Sequence, residues 1–112
     1  MTSENVDRPG MAEALDRLWK QYRPTMEERV AILERAARNL AVRELSDDER
    51  AETNNAAHKL AGVLGTFGLT KGTVLAREAE ILYSGDNGTD PEDAEQLAEI
   101  VLELKTMIAA RG

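Results

Sequence analysis

Asn54-Asn55-Ala56-Ala57-His58-Lys59-Leu60-Ala61-Gly62-Val63-Leu64-Gly65-Thr66-Phe67-Gly68 carries the pattern that decides the fold. At about 100° per residue, Ala56, Leu60, Val63, Leu64 and Phe67 gather on one side of a helix. They lie roughly 140–240° away from His58, the chain's single histidine. Ala51, Asn54, Asn55, Gly62 and Gly65 fall within about 60° of it. The helix therefore turns its apolar side to a core and His58 to water. Two interior glycines on the wet side each cost roughly 1 kcal/mol relative to alanine. Close approach by a partner accounts for them, as does a tight helix–helix crossing, and periodicity leaves both open.

Helical spacing continues on either side. A first helix is expected from about Met11 to Tyr22, with Leu15, Leu18, Trp19 and Tyr22 on one face. Residues 1–9 form a loose leader closed by Pro9-Gly10, and residues 10–112 a single domain. Arg23 precedes Pro24, which disfavours helical geometry and predicts a break. The second helix starts near Thr25, with Glu27 and Glu28 in its first turn, and ends near Leu45. Val30, Leu33, Ala37 and Leu40 make its inner stripe. Ser46 with Glu49 has capping-box spacing and opens the histidine helix, which Gly68 stops. The fourth helix runs from about Thr70 to Tyr83, with Leu75, Ala79 and Leu82 inward and Gly72 an exposed weak point. Ser84 to Thr89 reads as a turn. Asp90-Pro91 starts the last helix, whose inner stripe is Leu97, Ile100, Val101, Leu104, Met107 and Ile108. Short connections between such helices predict an all-α protein: an antiparallel four-helix bundle with an additional N-terminal helix.

Composition excludes several chemistries. The 112 residues contain no cysteine, which removes disulfides, iron–sulfur clusters and thiol nucleophiles. With one histidine as well, a zinc-type site has almost no ligands, and no metal site or cofactor is expected. Gly85-Asp86-Asn87-Gly88-Thr89-Asp90 lacks the alternating ligands and distal glutamate of a calcium loop. A net charge of −7 argues against general nucleic-acid binding. No apolar run is long enough for a membrane span, and Met1 to Pro9 lacks a signal peptide's apolar centre, so the expectation is cytoplasmic. Starting at Met1 suits a freestanding protein and an excised domain equally. Trp19 and Tyr22 are expected to cover the bundle's end. Arg35, Arg38, Arg43 and Arg50 read as a solvated face.

Ala57-His58-Lys59-Leu60-Ala61-Gly62, followed by Leu64-Gly65-Thr66-Phe67-Gly68-Leu69, resembles the signature of histidine-containing phosphotransfer domains. Those domains carry phosphoryl groups between aspartates of receiver domains in bacterial phosphorelays. The resemblance implies a phosphocarrier rather than an enzyme, with His58 as phosphoryl acceptor and donor. It implies partners among response-regulator receivers or a hybrid histidine kinase, the receiver supplying Mg²⁺, a lysine and the aspartate. On this reading the protein is a monomer. Lys59 helps neutralise the phosphoryl group, and Gly62 and Gly65 clear the docking surface. Asn54 and Asn55 share the histidine's side, as hydrogen-bond partners of water or the receiver backbone or as ordinary polar surface residues. One departure stands out: where the family often has lysine three residues after the histidine, this chain has Ala61. Lys59, about 100° around the helix, is the nearby cation that remains. Two other readings are a helical module that binds receivers or kinases without chemistry, and the phosphoacceptor domain of a chemotaxis-type kinase.

Overall fold

The computed structural model describes the backbone of residues 3–84 and 90–112, with side chains from Gly10 onward. It is all-helical: α1 (Ser3–Ala41), α2 (Asp47–Thr66), α3 (Thr70–Leu82) and α4 (Ala94–Arg111), the last preceded by a 3-10 turn over Pro91–Asp93. Packing joins α1 to α2, α2 to α3, α3 to α4 and α4 back to α1, so the four helices close a ring around one core.

The first two expected helices are one. Pro24 lies inside the 39-residue α1 and causes no break. The apolar stripe shows why: Trp19, Met26, Val30, Leu33, Ala37 and Leu40 are all buried, and their spacing of seven, four, three, four and three runs straight through the proline. A helical proline costs about 3 kcal/mol through its missing hydrogen bond and ring clash. Burying a side chain the size of Met26 contributes about 1.5–3 kcal/mol, and Trp19 on the other side of the proline adds its own burial. The ring of Pro24 itself is exposed, where water can reach the carbonyl one turn back that loses its donor. The additional N-terminal helix is therefore the first half of α1, and the backbone of residues 3–9, expected as leader, continues it. At about 1.5 Å per residue α1 accounts for the molecule's 61 Å long dimension.

Local signals set the other ends. Ser46 caps α2 as expected, its hydroxyl accepting from the Glu49 amide at 3.1 Å while the Glu49 carboxylate accepts from the Ser46 amide. Glu49 also accepts from the Asn39 side chain at 2.8 Å, tying this cap to the end of α1. Gly68, at φ +74°, turns the chain back sharply, with the Leu69 amide donating to the Leu64 carbonyl. Arg43 adopts φ 60° at the end of α1, a conformation that favours glycine. Gly72 corrects an expectation. It is buried, not exposed, and an added Cβ would meet Met107 Sδ at 2.9 Å and Leu64 Cδ1 at 3.1 Å. Its lack of a side chain lets α3 sit against α2 and α4. The expected turn at Ser84–Thr89 lies outside the described residues beyond Ser84.

Trp19 is 1% exposed and packs edge-on against Phe67, with centroids 5.2 Å apart, while the Arg111 guanidinium lies 5.2 Å over its ring. With Tyr22 also edge-on to Phe67, the aromatics close the end of the ring as the sequence suggests. Of the four arginines, Arg35, Arg38 and Arg43 are exposed and Arg50 is half-buried. Arg35 pairs with Glu52, Arg38 with Glu34, and Arg50 donates to the Tyr83 carbonyl at the end of α3.

Candidate functional site

His58 projects from the middle of α2 with 68% of its side chain exposed. Its leucine neighbours Leu60 and Leu64 are fully buried, so the helix is anchored opposite the imidazole. The ring is held in place: Nδ1 lies 2.9 Å from Glu80 Oε2, on α3. An ionised carboxylate only accepts, so Nδ1 carries the hydrogen in this pair and donates it. When the ring carries that single proton, Nε2 is left with its lone pair. An exposed imidazole oriented in this way can act as a nucleophile.

Three further contacts fix α3 beside α2. The Asn54 side-chain amide donates to the Glu80 carbonyl at 2.7 Å, Thr73 Oγ1 donates to the Ala61 carbonyl at 3.0 Å, and Arg50 reaches Tyr83. Partners on α3 fall in number as those on α2 rise, so the two helices are antiparallel. Gly65 belongs to the same crossing. A Cβ there would stand 3.3 Å from Thr73 Oγ1, tighter than ordinary contact. Gly62 differs, since a Cβ there meets nothing within 4 Å.

The six residues singled out from the sequence thus separate. His58, Lys59, Asn55 and Gly62 are exposed on one stretch of α2. Asn54 is half-buried against α3, and Gly65, although exposed, borders Thr73. Ala61 is buried, with its carbonyl engaged by Thr73. Glu80 is the residue that the sequence reading missed. Its signal is a count: with a tight turn at Gly68, residues at about equal distances before and after it come side by side, and His58 and Glu80 nearly do. Among the described residues no group of three or more His, Cys, Asp or Glu is poised to hold a metal, and no helix is long and apolar enough to cross a membrane.

A helical ring carrying a solvent-facing histidine fits the class of histidine phosphotransfer domains. The Hpt domain family model matches residues 17–111. The chain belongs to the Hpt domain family, which serves histidine phosphotransfer in phosphorelay signalling. It is also similar to Protein RcaC of Microchaete diplosiphon, 32% identical over 91 residues, which make up 81% of this chain and 14% of that protein. The chain therefore spans only a small part of this relative. No solved structure matches it.

Proposed function

We propose that His58 is the phosphorylated residue and that Nε2 is the atom that accepts and returns the phosphoryl group. The observation that carries this reading is the exposed imidazole whose Nδ1 stands 2.9 Å from Glu80 Oε2. Attack by the Nε2 lone pair leaves positive charge on the ring, and the Glu80 carboxylate stands where that charge develops. Glu80 also keeps the proton on Nδ1, so the reactive nitrogen stays free. The imidazole can reach an aspartyl phosphate held inside another protein because nothing on α2 covers it.

The partners on this reading are receiver domains of response regulators or a hybrid histidine kinase. The chain acts as a phosphocarrier, a monomeric antiparallel four-helix bundle working in the cytoplasm. Gly62 supports the docking role, because its open side offers clearance and the fold makes no use of it. Lys59 and Asn55 flank the histidine on the same exposed stretch and contribute charge and hydrogen bonds to the partner. Asn54 and Gly65 we assign to the α2–α3 crossing instead of the partner.

Incubation with a phosphorylated receiver domain tests the reading. The wild-type chain is expected to take up acid-labile, base-stable phosphate, and His58→Gln none. Equal labelling of His58→Gln overturns the assignment. Receiver binding that leaves no phosphate on the wild-type chain supports the interaction-module reading instead.

A further inference from the structure

Thr73, Arg77 and Glu80 recur at i, i+4 and i+7 on α3 and so share one side of that helix. Thr73 and Glu80 both reach the His58 side of α2, at the Ala61 carbonyl and the His58 ring. Arg77 lies between them on that side and is exposed. It takes part in no ion pair among the described residues. The antiparallel register sets its level: Asn54 meets Glu80 and Ala61 meets Thr73, which leaves His58 and Arg77 midway on their two helices. The open surface of Gly62 is one turn from His58. Lys59 points elsewhere. It lies about 100° around α2 from His58, on the side away from Asn54, Ala61 and Gly65, which face α3.

We propose that Arg77 is the cation that receives the phosphoryl group on His58, in the place left by the missing lysine at Ala61. The inference rests on His58 being the phosphoacceptor. The His58 Nε2 lone pair attacks phosphorus and a P–N bond forms. The P–O bond to the donor aspartate breaks, and the carboxylate leaves with the electron pair. Nδ1 keeps its proton throughout, opposite Glu80. Three phosphoryl oxygens then face the α2–α3 groove, where a guanidinium offers the paired donors that fit them. From its place on α3, Arg77 can reach the phosphoryl group without crossing the side of His58 that a receiver must approach.

Phosphoramidate, a small donor from which ammonia leaves with the P–N electron pair, tests Arg77 without any receiver. Labelling of the full chain is followed by phosphorus NMR for wild type, Arg77→Gln, Arg77→Lys and His58→Gln, with helicity and Tm measured in parallel. Because Arg77 is exposed, Arg77→Gln is expected to keep its Tm and to label about three- to tenfold more slowly. Arg77→Lys is expected to recover most of the rate. Wild-type labelling of Arg77→Gln, or Arg77→Lys as slow as Arg77→Gln, overturns the role of Arg77 while leaving His58 in place. Labelling of His58→Gln overturns the phosphoacceptor reading itself.

Discussion

At the scale of single residues, the two glycines on the His58 face of α2 do different work, although the sequence places both within about 60° of it. Gly62 has empty space where a Cβ would stand, whereas Gly65 has Thr73 Oγ1 at 3.3 Å. Gly62→Ala is therefore expected to raise stability by about 0.5–1 kcal/mol, the helix-propensity gain. Gly65→Ala gains the same propensity but must displace Thr73, and Gly72→Ala must displace Met107 and Leu64. Thermal unfolding of the three variants should rank Gly62→Ala highest and Gly72→Ala lowest. A Gly62→Ala variant less stable than the Gly72→Ala variant contradicts these environments. Angles on an isolated helix could identify His58 as solvent-facing, because that depends only on its own leucines. They could not separate Gly62 from Gly65, since the difference lies in a threonine on another helix. Glu80 was hidden for the same reason.

At the scale of elements, Pro24 shows how local and longer-range preferences compete. The dipeptide Arg23-Pro24 signals a break, while the buried stripe from Trp19 to Leu40 keeps helical spacing across it. The stripe wins because it buries large side chains on both sides of the proline. Met26, absent from the expected inner stripe, is fully buried and supplies the link. Pro24→Ala is thus expected to leave the fold unchanged and stabilise it by about 1–3 kcal/mol, read from urea unfolding. A loss of stability would mean that α1 depends on the geometry proline imposes there. The other element boundaries were legible because their signals are short-range: the Ser46–Glu49 capping box and the Gly68 turn each act within five residues. The burial of Gly72 was not legible, since it follows from Met107 approaching from α4.

At the scale of the whole molecule, Tyr83 joins pH to stability. It is fully buried at the end of α3, its hydroxyl 3.5 Å from the Leu33 carbonyl, and burial pushes its pKa well above the ordinary tyrosine value. A group whose folded pKa is raised stabilises the fold in full below its unfolded pKa, here about 10. That contribution is lost as pH climbs past this value toward the folded one. Stability should therefore fall above pH ~10, with Tyr83 contributing up to about 1.4 kcal/mol per pH unit. Tyr83→Phe should flatten the decline measured by urea unfolding across that window. An identical alkaline slope in Tyr83→Phe would assign the decline to other groups. Around the opposite end of the ring, Arg111 pairs with Asp16 at 3.0 Å and covers Trp19, joining the last turn of the chain to the first helix.

The arrangement of the ring has one consequence for chemistry: it brings Glu80 to His58 and leaves one imidazole nitrogen free. Long-range proton–nitrogen NMR of the His58 ring, recorded before and after phosphorylation by a receiver domain, reads both nitrogens at once. The expected result is a hydrogen on Nδ1 in both states and phosphorus coupled to Nε2, with Glu80→Gln altering the tautomer and slowing transfer by about tenfold. Phosphorus on Nδ1, or on any residue other than His58, contradicts it.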